Sequence, residues 1–393
     1  MTPTVSLDAV QVLALAAAGL GIGAGLKRLF PLLERLNLPT AILGGFVLAL
    51  VQFVLRDRVL NFRVETWLRD LLMIAFFTTV GFGARLSLLR RGGVPVLLFF
   101  GLAVVGALAQ NALGVGLARA FGLHPLLGVA SGSVALTGGP ATALAFGAEF
   151  EKLGVAGASG FGLASAMFGI VSGGLLGGFL GGRFVARAPK AALLERPASE
   201  APESPALEPG RVLPMVALLA VTMGLGSLVS TALAGAGVVL PAYVGAMLVA
   251  AVVRNVDDAR RRPLISEAHL EVLGEAALQL FIVMALLTLQ LWALVNLALP
   301  AVAMLAAQVV LVAALSALVF RVMGRDHEAA VTASGYVGFM LGTTANAVAC
   351  MNELTGKYGP APRAWFIVPL VGAFLIDFAN SVLVTWLMNV FGR

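Results

Sequence analysis

Long apolar runs separated by short charged stretches recur along the whole chain. A run of roughly 17–25 such residues is long enough to cross a bilayer as a helix. Hydropathy marks about ten. In the first half they are Asp8–Leu26, Leu38–Leu55, Leu68–Ala84, Val94–Ala120 and Ala158–Phe184. In the second half they are Val212–Leu233, Val239–Val253, Leu270–Leu291, Leu297–Phe320 and Trp365–Phe391. Two stretches break this pattern, Ser131–Ala143 and Ser334–Ala347, each crowded with glycines and hydroxyls. Such sequence is tolerated at membrane depth only where the backbone lines an enclosed or water-filled cavity. Each is too short and too interrupted to cross, and each reads as a re-entrant hairpin, over about 127–150 and 331–352. A pair of breaks, one per half, is the sequence pattern of a transporter's binding site.

Composition supports this reading. The chain is 60% hydrophobic and 12% charged, with mean hydropathy +0.98, whereas soluble domains carry about 25% charged residues. The fold class is an all-α polytopic membrane protein embedded in a lipid bilayer. Net charge is +6. Nucleic acid is not the implied partner, because the basic residues lie in loops and follow the positive-inside bias. Lys27, Arg28, Arg85, Arg90, Arg91, Arg183, Arg254 and Arg260 fall on one side if both termini are extracytoplasmic and the linker is cytoplasmic. That linker, 186–210, holds five prolines and four glutamates with few large apolar residues, so it cannot bury a core. Cys350 is the single cysteine, which excludes an intrachain disulfide.

The two halves share an order of features. Gly132 and Gly335 are 203 residues apart, as are Gly139 and Gly342, and Gly169 and Gly372; Gln110 and Gln308 are 198 apart. Five spans per half is an odd number, so the second half enters the membrane from the opposite face. This is an inverted-topology repeat, residues 1–185 and 211–393, typical of secondary transporters.

The breaks carry the candidate chemistry. Helix N-termini near the midplane offer partial positive charge and N–H donors to a carboxylate. Hydroxyls and helix C-terminal carbonyls suit Na⁺, a hard cation. Ser131, Ser133, Thr137 and Thr142 supply oxygens in the first break, with Thr343, Thr344 and Asn346 in the second. Gly138, Gly139 and Gly342 permit turns with positive φ, and Pro140 suits the first position of a new helix. Asp377 is the one acid deep inside a span, a functional candidate because its burial is costly. Asn380 shares its helix face. The pair either coordinates Na⁺ or hydrogen-bonds to the neighbouring hairpin. Gln110-Asn111 and Gln308 either line the site or join helices. The histidines lack metal-ligand spacing. With no P-loop, pumping must run on an ion gradient. No nucleophile–base pair indicates an enzyme, and no cofactor motif is present. An ion channel with paired filter loops stays as the alternative from another class.

At these residues the chain resembles the bacterial glutamate:sodium symporter family. The resemblance rests on Leu68-Arg69-Asp70-Leu71-Leu72-Met73, Ala75-Phe76-Phe77-Thr78-Thr79-Val80-Gly81, Arg90-Arg91-Gly92-Gly93, Gln110-Asn111-Ala112, Leu136-Thr137-Gly138-Gly139, and Val368-Pro369-Leu370-Val371-Gly372-Ala373-Phe374 with Asp377 and Asn380. The chain departs from the family's usual pattern at Pro140, Tyr336 and Asn346. The resemblance implies ten spans in two inverted repeats, Na⁺-coupled import of L-glutamate or a related small anion, an elevator-like mechanism, a homodimer and an inner-membrane location. The substrate set is then Ser133, Thr137, Gly138, Gly139, Thr142, Thr343, Thr344 and Asn346. The sodium set is Asn111, Ser131, Asp377 and Asn380, with Na⁺ as the coupling ion and no cofactor. A sodium- or proton-coupled transporter of another amino acid or organic anion is the same-class alternative.

Overall fold

The structure, a computed structural model, describes residues 2–36, 38–188, 207–236, 238–260, 264–289 and 297–392. Most of the expected linker 186–210 therefore lies outside the described residues, as do Arg261 and Arg262.

Apolar composition without β-branched alternation gives helices almost throughout. In chain order, and after a short strand β1 (Thr4–Leu7), they begin with α1 (Ala9–Leu29), α2 (Pro31–Arg35) and α3 (Thr40–Leu55). A second strand, β2 (Asn61–Val64), precedes α4 (Trp67–Gly83), α5 (Leu86–Ala120), α6 (Pro125–Val129), α7 (Gly139–Lys152) and α8 (Ala158–Val185). The second half holds α9 (Pro209–Gly235), α10 (Ala242–Asp258), α11 (Glu267–Leu287), α12 (Ala298–Val322), α13 (His327–Met340), α14 (Thr344–Tyr358), α15 (Pro362–Leu370) and α16 (Ile376–Phe391). One π-helical turn, Ala130–Val134, continues α6, and another, Val371–Leu375, joins α15 to α16.

Among the described residues six helices are long and apolar enough to cross a membrane: α1, the Gly92–Ala120 part of α5, α8, α9, α11 and α12. The protein is a multi-pass, all-α membrane protein. The other four expected spans correspond to shorter helices, α3 of 16 residues, α4 and α10 of 17 each, and the stretch 362–391 divided by its π turn.

One element was absent from the sequence reading. β1 and β2 pair in parallel, Thr4 opposite Asn61 through Leu7 opposite Val64. Asp8 then caps α1 through a capping box with Gln11, and Glu65 accepts a hydrogen bond from the Ala9 backbone N–H at 3.0 Å. The stretch 56–66 between α3 and α4 is thereby tied to the N-terminus.

The helices sort into two packed groups. The first is α1, α3, α4, α9, α10 and α11. Small residues set its close approaches: a Cβ on Gly23 would meet the Thr40–Gly44 backbone, one on Gly81 the Met247 carbonyl, and one on Gly226 the Ala246 backbone. The second group is α5 to α8 with α12 to α16. Here Gly114 of α5 lies against the backbone of Gly128 in α6, and Gly169 of α8 against the Leu341 carbonyl. Without a hydrophobic driving force between helices in lipid, such small-residue contacts supply the packing. Backbone contacts are denser within each group than between them, and a buried apolar core runs across both, with Tyr243 of α10 packed against Phe77 of α4 and Phe146 of α7.

The chain passes from the first group to the second through 84–93. Its start is clamped to α10 and α11. Asn255 Nδ2 donates to the Ala84 carbonyl at 2.8 Å, and its Oδ1 accepts from the Leu86 N–H at 2.8 Å. Arg85 pairs with Asp258 at 2.8 Å and also with Glu267, while Ser87 Oγ donates to Asp258 at 2.9 Å. Arg254, with a side chain 3% exposed, lies 3.0 Å from Asp258 and also pairs with Glu267. Burial alone would raise the Asp258 carboxyl, but hydrogen bonds from Arg85 and Ser87 and the Arg254 and Arg85 charges hold it below the usual range. Gly93 then breaks α5 at φ 60°, ψ −157°, a region only glycine enters freely, and Pro95 opens the resumed helix.

Candidate functional site

Both expected breaks are real interruptions. In the first, the backbone kinks out of helical geometry at Gly132 (φ −92°, ψ −131°) within the π turn, the helix resumes and stops at Thr137-Gly138, and α7 starts at Gly139, whose φ is +70°. In the second, α13 stops at Met340, residues 341–343 are non-helical, and α14 starts at Thr344. α14 folds back on α13 closely enough that a Cβ on Gly338 would lie 2.5 Å from the Ala347 Cα.

The two breaks meet. A Cβ placed on Gly139 would be 3.4 Å from Thr343 Cγ2 and 3.7 Å from the Gly342 carbonyl oxygen. Neither α7 nor α14 has a side-chain cap. Pro140 in the first turn of α7 removes one N–H that would otherwise need a partner. The Thr343 hydroxyl does not cap α14; it points to Asn346 Oδ1 at 3.3 Å. Two helix N-termini with uncapped first turns thus lie side by side, and each carries partial positive charge. Neither break contains a lysine or arginine.

Beside them is a buried polar network. Asn111 of α5 donates from Nδ2 to Ser133 Oγ at 2.7 Å, and its Oδ1 accepts from the Ser133 N–H at 3.2 Å. Ser133 Oγ donates to Asn380 Oδ1 at 2.5 Å, and Asn380 Nδ2 donates to the Ser133 carbonyl at 3.0 Å. Three of these residues, Asn111, Ser133 and Asn380, are at most 2% exposed. They gather α5, the first π turn and α16 around one hydroxyl. Asn380 therefore makes the hydrogen bond to the neighbouring hairpin that was one of its two expected roles. Ser131 is also buried, but its hydroxyl turns back to the Gly128 carbonyl at 3.3 Å. Asp377 is half-buried and makes no hydrogen bond or ion pair among the described residues.

A second network spans the breaks. Gln110 accepts from Thr137 Oγ at 2.6 Å and donates to the Met340 carbonyl at 2.7 Å. Gln308 of α12 donates to the Gln110 backbone carbonyl at 2.8 Å. Gln110 and Gln308 do join helices, as one of their expected roles required. Asn346 ties the second break to α8, its Oδ1 accepting from Thr343 Oγ1 at 3.3 Å and its Nδ2 donating to the Ile170 carbonyl at 2.5 Å. Thr344 lies beside Gly372 in the second π turn, its Oγ1 3.4 Å from where a Cβ would stand. Thr142 is buried under Gly138. Gly138, Gly139, Thr137, Thr343 and Thr344 are thus brought to one place, Asn111, Ser133 and Asn380 to an adjoining one, and Asn346 faces α8.

Residue counting alone did not reveal two participants, the carbonyls of Met340 and Ile170, since a backbone acceptor carries no side-chain signal.

A sequence profile of the sodium/glutamate symporter family matches residues 5–360, nearly the whole chain. The chain belongs to the sodium/glutamate symporter family. It is 36% identical over 392 residues to the sodium/glutamate symporter of Escherichia coli (strain K12), covering 96% of both chains. It is 33% identical over 388 residues to that of Haemophilus influenzae, covering 95% of both. The family consists of transporters, so the chain is not an enzyme. Among the described residues no three His, Cys, Asp or Glu side chains cluster so as to hold a metal ion. The oxygens gathered here are hydroxyls, amides and backbone carbonyls, the donor set of a hard monovalent cation.

Proposed function

We propose that this chain imports L-glutamate, or a closely related small anion, across the inner membrane by coupling it to Na⁺. The observation that carries this reading is the meeting of two uncapped helix N-termini at Gly139 and Thr343, beside the buried Asn111–Ser133–Asn380 network. The N-termini of α7 and α14 attract carboxylates through their free N–H groups and dipoles. Ser133, Thr137, Gly138, Gly139, Thr142, Thr343 and Thr344 border this place, with Asn346 holding α14 to α8. Asn111, Ser131, Asn380 and the unpaired Asp377 supply oxygens for Na⁺. Bound Na⁺ stabilises the hairpin geometry that the anion needs, so each ligand raises the other's affinity, and the coupling is reciprocal.

In this reading the two breaks are re-entrant hairpins and the chain crosses ten times in two inverted repeats, 1–185 and 211–393. Contacts between equivalent residues support the repeat. At the 203-residue offset Thr137 pairs with Met340, and their Oγ and Sδ are 3.6 Å apart. Gly139 pairs with Gly342, and they adjoin; Gln308 bonds directly to Gln110. Equivalent residues touch one another where a two-fold axis passes between them. Denser backbone contact within each helix group than between them supports an elevator-like movement of one against the other across their shared apolar face, with the first group forming a homodimeric scaffold. The basic residues favour both termini on the extracytoplasmic side.

Proteoliposomes holding the purified chain test the proposal. Uptake of labelled L-glutamate should require an inward Na⁺ gradient. L-Aspartate, dicarboxylates and other amino acids as competitors identify the preferred anion. Equal uptake with and without the Na⁺ gradient rejects sodium coupling, and unsaturable ion conductance would favour a channel instead.

A further inference from the structure

Gln110 is wholly buried and uncharged, and its single amide reaches both breaks. Its Oε1 takes the hydroxyl proton of Thr137, where the first helix stops. Its Nε2 satisfies the carbonyl of Met340, the last residue of α13. That carbonyl belongs to the final turn, where no intrahelical donor exists. The amide orientation is fixed from both ends, because a flipped amide would set two acceptors together at Met340. Asn111, the next residue along α5, holds Ser133 and through it Asn380. One short piece of α5 therefore touches the first break, the second break and the Asn111–Ser133–Asn380 network.

Gln308 provides the internal comparison. It too is wholly buried and lies at the equivalent place in the second half. Its Nε2 donates to the Gln110 backbone, but its Oε1 has no hydrogen-bond partner. At the 203-residue offset the hydroxyl that Gln110 receives from Thr137 is replaced by the thioether of Met340. Only one of the two glutamines therefore bridges the breaks.

We infer that Gln110 is the positioning residue through which Na⁺ occupancy at the Asn111–Ser133–Asn380 network fixes the two helix ends at the separation the anion requires. This rests on the proposed transport reading. Movement of α5 or of the first π turn on ion binding is passed to Thr137 and Met340 together, because one rigid amide holds both. Without it the two ends are set independently, and the anion site no longer registers the ion.

The test uses the full chain in proteoliposomes with Gln110→Met, Gln110→Glu and Gln308→Met. Gln110→Met removes both bonds at similar volume. Gln110→Glu keeps the acceptor for Thr137 and removes the donor to Met340, so it reports the same role should the first variant fail to fold. The measurement is the ratio of the glutamate KM at low Na⁺ to that at saturating Na⁺. For Gln110→Met this ratio should fall about tenfold, as far as one neutral hydrogen bond can carry it, with the maximal rate nearly kept. Gln308→Met should leave the ratio unchanged. A preserved ratio in the folded Gln110 variants, or an equal fall in Gln308→Met, overturns the inference. A wild-type KM that ignores Na⁺ overturns the transport reading itself, a separate outcome.

Discussion

Ser133→Ala isolates the hydroxyl at the centre of the buried network. Ser133 Oγ accepts at 2.7 Å from Asn111 and donates at 2.5 Å to Asn380. Its removal deprives two buried amides of one partner each. Both amides keep a bond to the Ser133 backbone, at 3.2 and 3.0 Å, so neither is fully orphaned. A buried polar group left unsatisfied costs about 1–3 kcal/mol. Two partly satisfied groups put the destabilisation near the low end for each, about 2–3 kcal/mol in all. The same hydroxyl holds Asn111 and Asn380, two of the proposed Na⁺ ligands, so the variant should also lose sodium protection. A ligand at a hundred times its Kd stabilises a protein by about 2.7 kcal/mol. Wild-type protein should therefore melt higher in NaCl than in equimolar KCl, and Ser133→Ala should melt lower in both with the difference abolished. Ser165→Ala is the control, because the buried Ser165 hydroxyl only turns back to the Phe161 carbonyl at 2.8 Å and its loss should cost about 1 kcal/mol without touching the Na⁺-specific shift. A Ser133→Ala protein that keeps both its melting temperature and its Na⁺-specific shift would refute the assignment.

The other expectations concern the frame around the site. Gly93→Val forces a β-branched residue to φ 60°, ψ −157°, a strain of about 1–3 kcal/mol; if the chain bends there between the helix groups, turnover in single-substrate uptake should slow while glutamate affinity is kept. Gly128→Leu drives a side chain into the Gly114 backbone, and overpacking of about 1–3 kcal/mol or more should lower the yield of monodisperse protein in size-exclusion chromatography. Asp258→Asn removes the carboxylate shared by Arg85 and Arg254, and breaking such a buried pair costs about 3–5 kcal/mol, measurable as a lower melting temperature. The folded Asp258 carboxyl titrates below its ordinary 3.8, so its stabilisation is fully present above that pH and is lost as pH falls through the lower folded value; wild-type melting should drop steeply with acid over that window, and Asp258→Asn should flatten the drop.

Much of the fold was legible because hydropathy reports lipid exposure directly. The breaks at 137–138 and 341–343 fall inside the two stretches that glycine and hydroxyl content had marked. Other features were illegible for definite reasons. β1 and β2 are four residues each and lie 53 residues apart, too short to show a period of two. Arg254 was grouped with loop arginines by the positive-inside count, yet its side chain is 3% exposed and clamped to Asp258. Their i, i+4 spacing on one helix was the available signal. Asn346 was marked as a substrate residue by type and position, and its Oδ1 faces Thr343, but its tie to α8 was not legible. Its amide is taken by the Ile170 carbonyl, 176 residues away, and a bond to a distant backbone leaves no trace in sequence.

The proposed two-fold relation constrains backbone more than chemistry, and the difference has a consequence. At the 203-residue offset Ser133 corresponds to Tyr336. Where the first hairpin gathers three polar side chains, the second packs Tyr336 and Phe339 against Phe99, with ring centroids 6.1 and 5.7 Å from it. Edge-to-face packing of that kind is rigid and excludes water. A cation can therefore be coordinated at the first hairpin but not at its counterpart, even though both present uncapped helix ends to the same place. If the repeats exchange roles as the transporter alternates, the ion site does not exchange with them. In the proposed reading it stays with α5 and α16, and the proposed anion site between the two breaks is the part that symmetry governs. Substituting Tyr336 with Ser would place a hydroxyl where the repeat would mirror Ser133, but the facing residue 198 beyond Asn111 is Val309. With no amide to complete it, Tyr336→Ser should open a cavity, lower the melting temperature by the cost of a lost aromatic, about 3–5 kcal/mol, and leave the Na⁺ dependence of the first hairpin intact. A second Na⁺-dependent transition in that variant would show that the two hairpins are chemically closer than their sequences indicate.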